Sequence, residues 1–219
     1  MKELDNIKVE DLSVILNKDA VLQRFYPLIP LCEEIINRLL KIKIYNKYMF
    51  LDELAVNAED LAEKLEIDMG TLKLLEGIFH LYDFKNRKLR EIKSVSCNLI
   101  ENLIDDKIKT SKDYIFLCMA TSSSVISQRY STDEKDVVKL FEICDLMRLP
   151  GVKDLRADLY HHCGYKGLVD FQGEDPDNMR RKIGRIITEE NIDKIVPLRK
   201  ELSTQIAVAK VLPKLLIKK

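Results

Sequence analysis

Hydrophobic residues recur three or four positions apart along most of the chain, which is the spacing of amphipathic helices. In residues 31–45 this spacing places Cys32, Ile35 and Leu39 on one side. Residues 69–82 are apolar over so wide an arc that we expect a mostly buried helix. Runs that alternate apolar and polar residues, the signal of strands, are scarce. The pattern therefore predicts a mainly α protein.

Residues that favour helix starts divide this pattern into separate helices, because their side-chain oxygens accept hydrogen bonds from the free amides of a first turn. The capping signals are Asn57, Thr110-Ser111, Ser131-Thr132-Asp133-Glu134 and Asp175-Pro176. We expect helices over residues 58–65, 97–108, 112–127 and 176–187. No internal repeat is evident in the sequence.

The segment after residue 50 has a recognisable order of elements. A helix over 58–65 and a second over 69–82 are followed by residues 84–92, which read as a short hairpin with Asn86-Arg87 near its turn. This order resembles the winged-helix segments of transcription regulators and the dimerisation domains in front of some small-molecule methyltransferases. The resemblance covers roughly residues 31–93 and implies a winged-helix-like domain with a small β-hairpin.

The stretch over residues 146–160 reads as two helices joined by a tight turn. Pro150 and Gly151 end the first helix, Val152 packs under the turn, and Ala157 lets the helices approach closely. Leu155 and Leu159 are expected to face the partner helix. The stretch therefore predicts a compact helical hairpin.

This pattern resembles the helix-hairpin-helix motif, which Gly151, Val152 and Ala157 match by position. Lys153 stands where that motif usually has a second glycine. From Phe141 to Pro213 the chain resembles a tandem helix-hairpin-helix family of unknown function. The resemblance implies that the turn amides cradle a phosphate without reading sequence. It also implies three regions: residues 1–93, a helical connector over 94–130, and a helix-hairpin-helix domain over 131–219.

Charge narrows the possible partners. The 219 residues carry 36 Lys plus Arg and 36 Asp plus Glu, so any attraction to nucleic acid must come from a local patch. The densest basic cluster lies on the predicted helix 176–187, and Lys153 and Arg156 of the hairpin extend it. The candidate nucleic-acid-binding residues are Gly151, Lys153, Arg156, Arg180, Arg181, Lys182 and Arg185.

Several function classes have little support in the sequence. The five cysteines include no C-x-x-C pair, and the neighbouring His161, His162 and Cys163 point too far apart on a helix to form a metal site. Only seven glycines are present and none forms a phosphate-binding loop. The charged N-terminus and the absence of a long apolar run favour a reduced, cytoplasmic protein without a membrane segment.

Three function classes remain open. The first is a non-enzymatic module, with no cofactor and no metal, that binds nucleic acid weakly through phosphate contacts. The second is a protein-interaction or dimerisation module, in which the acidic winged-helix-like domain contacts itself or another protein and the hairpins are structural. The third is an enzyme fragment related to methyltransferases, but residues after Lys93 lack the glycine-rich turn that would hold such a cofactor.

Overall fold

The computed structural model describes residues 4–218, and these are mainly helical. Its α-helices are α1 (Leu12–Ile15), α2 (Cys32–Lys41), α3 (Lys47–Val56), α4 (Ala58–Lys64), α5 (Met69–Leu81), α6 (Cys97–Asp105), α7 (Ser111–Ala120), α8 (Ser123–Arg129), α9 (Glu134–Leu146), α10 (Asp154–His162), α11 (Leu168–Phe171), α12 (Pro176–Glu189) and α13 (Arg199–Val211). Three short 3-10 helices span Val9–Asp11, Gln23–Leu28 and Leu89–Glu91. The predicted mainly α class fits this architecture.

The winged-helix prediction is wrong, because residues 4–218 contain no β-strand. The segment predicted as a hairpin does not pair with itself. Its Leu89 amide donates to the Lys109 carbonyl at 2.9 Å, and the Ser111 amide donates to the Arg87 carbonyl at 2.8 Å. These bonds form one isolated bridge, between Lys88 and Thr110, and Leu89 then enters a single 3-10 turn. Pairing with the start of α7 thus replaces the hairpin.

The contacts divide the chain into two compact units. The first unit holds the described residues up to Asp83 together with Pro197–Pro213, so that α13 belongs with α1 to α5. Its core includes the fully buried Phe25, Phe50 and Phe79, and the Phe50 and Phe79 ring centroids lie 5.0 Å apart. Burial of such large apolar side chains is the main favourable term in folding.

A buried lysine also organises the first unit. Lys47, the first residue of α3, is 1% exposed, and its ammonium lies 2.9 Å from the Asp5 carboxylate. Asp83 and the hydroxyl of Tyr48 complete the cluster, as Asp83 accepts from Lys47 and Asp5 accepts from Tyr48. A buried charge is tolerated only when it is paired in this way.

The second unit comprises Phe84–Val196 and the described residues from Lys214 onward. Helix α9 lies at its centre, because α7, α8 and α10 all pack against it. Tyr114 of α7 is buried and its hydroxyl donates to the Val137 carbonyl at 2.8 Å. The predicted helix over 112–127 is divided at Thr121, where Ser122 caps the start of α8.

One backbone turn recurs in both units. After α2, α6 and α10 a residue takes the left-handed conformation, and a new helix begins four residues later. These residues are Lys43 (φ 63°), Lys107 (φ 67°) and Gly164 (φ 90°). In each turn the amide of the residue after the left-handed one donates to a carbonyl five residues earlier, in the preceding helix. The Ile108 amide, for example, donates to the Leu103 carbonyl at 2.9 Å. This is the Schellman arrangement, which satisfies the free carbonyls of a helix end.

A second set of left-handed residues follows α4, α8 and α12, namely Glu66, Ser131 and Asn191. Helices α2 to α5 and α6 to α9 therefore repeat the same order of helices and turns. Helices α5 and α9, which close the two copies, both have 13 residues. The repeat is one of backbone geometry, with little shared sequence to reveal it.

A buried ion pair fixes the hairpin between α9 and α10. Asp145 and Arg148 are 8% and 1% exposed at their side chains, and their charged groups lie 2.6 Å apart. The second carboxylate oxygen of Asp145 accepts the Leu168 amide at 2.9 Å and so caps α11. A Cβ at Gly167 would lie 2.8 Å from this oxygen, so the position needs a glycine for space.

We expect Gly167→Ala to lower the free energy of unfolding by about 1–3 kcal/mol, because the new methyl group forces Asp145 away from the Leu168 amide. The measurement is urea unfolding followed by circular dichroism. Gly173→Ala is the matched control, since a Cβ there meets nothing within 4 Å. Equal stability of the two variants would contradict the role of Asp145.

We expect Lys107→Gly to raise the free energy of unfolding by about 0.5–1 kcal/mol, because a left-handed backbone strains every residue with a Cβ. Lys109→Gly, two positions later and outside the left-handed region, should instead lower stability by a similar amount. Thermal unfolding of both variants beside the parent protein tests this. A loss of stability in Lys107→Gly would refute the argument.

Candidate nucleic-acid interface

The turn at Gly151 joins α9 to α10. Gly151 has a φ of 75°, and a Cβ there would meet nothing within 4 Å. The glycine therefore serves the backbone conformation and leaves open space beside the turn. Val152 is 2% exposed and donates its amide to the Leu149 carbonyl at 3.2 Å, so it lies under the turn as predicted.

The start of α10 faces this open space. Its N-cap is Lys153, whose side chain makes no capping hydrogen bond. The one acidic residue of the first turn, Asp154, accepts instead from the Lys93 amide at 3.3 Å and from the Ser94 hydroxyl at 3.4 Å. An uncapped helix start of this kind offers amide donors and a partial positive charge.

A groove with a volume of about 920 Å³ opens at the turn, and all of its walls belong to the second unit. This volume lies within the range of sites that take organic ligands. The basic residues that line it are Arg87, Lys93, Lys153, Arg156 and Lys194. The acidic ones are Glu91, Asp154 and Asp193, and the apolar ones are Ile92, Met147, Leu155, Leu159 and Ile195.

Among residues 4–218, four of the five basic residues form no ion pair: Arg87, Lys93, Lys153 and Lys194. Lys194 still attracts the Asp154 carboxylate electrostatically, which opposes the rise of the Asp154 pKa. The Arg87 Nε is buried and also lacks a hydrogen-bond partner. Arg156 differs, since it donates to the Ile195 carbonyl at 2.8 Å. Unpaired cations around one groove favour an anionic ligand.

The groove also has an apolar part. Leu155 is 61% exposed and Ile195 is 82% exposed, although both line a concave surface. The expectation that Leu155 faces the partner helix is therefore wrong, whereas Leu159 is buried at 3% exposure. Both leucines line the groove, and Leu159, one helical turn further along α10, also packs into the core.

The predicted nucleic-acid-binding residues fall into two groups. Gly151, Lys153 and Arg156 line the groove, whereas Arg180, Arg181, Lys182 and Arg185 lie on α12 and do not. Lys182 is half-buried, with its ammonium 4.3 Å from the centroid of the Tyr165 ring. The other three are exposed. The sequence pattern did not indicate Lys194 or Lys93 as site residues, and it placed Arg87 in the predicted hairpin.

The histidines have other partners. His161 contacts Glu142 at 2.7 Å and His162 contacts Glu190 at 2.5 Å. Within residues 4–218 no group of three or more His, Cys, Asp or Glu residues is arranged to hold a metal ion. Burial raises the pKa of Cys118 to about 12 and that of Cys163 to about 11. None of the described helices is both long and apolar enough to cross a bilayer.

Comparison with known protein families finds a match over residues 94–212, more than half of the chain, to a domain of unknown function, DUF4332. The chain belongs to the DUF4332 family. The prediction of a family of unknown function is confirmed at this level. No curated protein and no solved structure matches the chain. The DUF4332 region includes α10 and α12, but Arg87 and Lys93 of the groove precede it.

We expect Asp154 to titrate at a higher pH than Asp106, another carboxylate of the second unit. Burial raises the pKa of Asp154, opposed by the hydrogen bond from the Lys93 amide. Hydrogen bonds from Tyr130 and then Arg129 lower the pKa of Asp106. Carboxyl carbon chemical shifts followed by NMR test this order, and the reverse order would contradict it.

The sign of the stability effect follows from the raised pKa. The folded state holds the Asp154 proton more tightly than the unfolded chain, so this contribution to stability is present at low pH and lost as the pH rises through the folded pKa. Protonation also removes one negative charge from the groove. We therefore expect anion binding to tighten as the pH falls through the folded-state pKa of Asp154. The variant Asp154→Asn should lose this pH dependence of binding.

Proposed function

We propose that this DUF4332 protein is a non-enzymatic module that binds nucleic acid weakly and without sequence preference, through phosphate contacts in the groove beside Gly151. The observation that supports this most is the set of four unpaired cations around the groove, Arg87, Lys93, Lys153 and Lys194. A ligand with regularly spaced negative charges satisfies several of them at once.

The start of α10 gives the first phosphate a defined place. Amides at an uncapped helix N-terminus point toward an anion, and the helix dipole favours negative charge there. Lys153, at the N-cap, adds a full positive charge next to these amides. The lysine thus compensates for the second glycine that a helix-hairpin-helix turn usually has.

The arginines of α12 form a second, weaker phosphate-binding region. Arg181 donates to Asn178 and Arg185 lies 3.9 Å from Glu189, so neither is held by a strong ion pair. In this proposal α9 to α12 act as tandem helix-hairpin-helix elements, in which the groove makes the first contact and α12 adds phosphate contacts. Such contacts fix position on the ligand without reading bases.

The formal charge of zero limits the affinity. Without a net positive charge the protein has no long-range attraction to a polyanion. Binding then depends on about four to six local contacts, and each releases about one counterion from the nucleic acid. We therefore expect an affinity that falls steeply with added salt.

A protein-interaction role is the second candidate, and the exposed Leu155 and Ile195 favour it. Exposed apolar side chains that lie together mark sites of protein interaction in many proteins. In that case the cations would select an acidic protein, and oligonucleotides would not bind. Light scattering distinguishes self-association, the simplest form of this role, from a monomer.

We further infer a cytoplasmic location. All five cysteines are free, and the raised pKa of Cys118, to about 12, keeps this thiol protonated and unreactive. Free thiols in a folded protein are typical of a reducing compartment.

The test of nucleic-acid binding is fluorescence anisotropy with a labelled oligonucleotide of mixed sequence at several salt concentrations. We expect Lys93→Glu with Lys153→Glu to weaken binding at least tenfold and to lower the salt slope by about 2, one for each lost phosphate contact. Arg181→Glu with Arg185→Glu should give a smaller loss.

The matched control is Lys73→Glu with Lys135→Glu, which makes the same change in net charge at two exposed lysines outside the groove. If this control weakens binding as much as the groove variant does, the protein has no specific phosphate site. Binding that does not change with salt, or no binding at all, would also refute the proposal.

A further inference from the structure

The groove combines features that a pure phosphate site does not need. Leu155 and Ile195 expose apolar side chains inside it, although exposed apolar surface in a concave site is usually covered by a ligand. Glu91 and Asp193 stand among its cations. Carboxylates repel phosphates, so their presence weakens the case for a ligand that shows only its phosphate backbone.

These features match the chemistry of unpaired bases. An apolar side chain covers the flat face of a base, and a carboxylate accepts the exocyclic amino group of cytosine. The Arg87 side chain lines the groove and adds a planar cationic group, which either stacks on a base or binds a phosphate. A ligand with both bases and phosphates therefore has a partner for the apolar, acidic and basic side chains of the groove.

The apolar part is held in place before a ligand arrives. Arg156 donates to the Ile195 carbonyl at 2.8 Å and lies 6.0 Å from the centroid of the Tyr160 ring, which is buried. Leu155 lies on α10, and this helix is anchored by Leu159, which is packed in the core. A site built on fixed elements loses less conformational entropy when it binds.

We propose that the groove prefers single-stranded nucleic acid to a duplex, with bases against Leu155 and Ile195 and phosphates on the surrounding cations. This inference rests on the proposed nucleic-acid binding and names its substrate class. A duplex keeps its base faces stacked inside the helix and leaves the apolar part uncovered. A single strand presents base faces and phosphates to the same groove.

An acidic protein segment also carries negative charge beside apolar side chains. The observations favour nucleic acid, because a phosphate on every nucleotide suits both the uncapped start of α10 and the four cations that line the groove without an ion pair. An amphipathic helix of Glu and Leu is therefore included in the experiment as a competing ligand.

The experiment compares three probes of 12 nucleotides by anisotropy: a single strand of mixed sequence, its blunt duplex, and an abasic strand with the same phosphates. We expect the single strand to bind at least tenfold more tightly than the duplex and the abasic strand. Leu155→Ser with Ile195→Ser should reduce binding of the single strand to the level of the abasic strand, without changing the binding of the abasic strand itself.

The control is Val56→Ser with Val125→Ser, which removes two apolar side chains that are 82% and 50% exposed and lie outside the groove. It should leave all three affinities unchanged. Because all four positions are exposed, each variant should fold, and a thermal melt verifies this.

The outcomes separate the two proposals. Equal binding of all three probes, unaffected by Leu155→Ser with Ile195→Ser, would overturn the preference for single strands and leave phosphate binding intact. No binding of any probe would overturn both. Binding of the Glu and Leu helix alone, lost in the same variant, would assign the groove to a protein partner and overturn both as well.

Discussion

The fold depends on how each short helix satisfies the backbone groups at its end. Helices of 4 to 14 residues leave a large share of their amides and carbonyls without partners inside the helix. Six left-handed residues solve this by turning the chain so that the following amides reach back to the free carbonyls. Because the turn also sets the direction of the next helix, the same geometry positions the helices of both units.

Buried charges also join separate segments of each unit. Asp145 holds Arg148 and the start of α11 with its two carboxylate oxygens, and Lys47 gathers Asp5 and Asp83 at the start of α3. Such pairs add little net stability, since each charge loses its hydration on burial. Met147, which lines the groove, lies in sequence between Asp145 and Arg148, the two members of the first cluster.

Local signals in the sequence predicted much of the helical structure. Asn57, Thr110 and Asp175 cap helices as expected, because a cap depends on residues only two or three positions away. Ser131 is the exception, since it takes the left-handed position and Asp133 forms the cap. The repeat of turns was hidden because its left-handed residues are as different as Lys107 and Gly164.

Contacts between residues far apart in the chain limited how much of the fold and of the site could be predicted from the sequence. The hairpin prediction failed because Leu89 pairs with Lys109, and nothing near Leu89 in sequence reveals this partner. The groove unites Arg87, Lys153 and Lys194 from segments far apart in the chain, so charge clustering along the sequence pointed to α12 instead. Gly151 was found because a tight turn is a local feature with its own residue preference.

Helix α13 has a consequence for the order of folding. It belongs to the first unit, where the Thr204 hydroxyl donates to the Ala20 carbonyl and the Lys200 ammonium reaches the Lys18 carbonyl at 2.7 Å. All of the helices of the second unit are synthesised between these partners. The first unit is therefore completed only after α13 has been synthesised, through contacts of very high sequence separation, which form slowly.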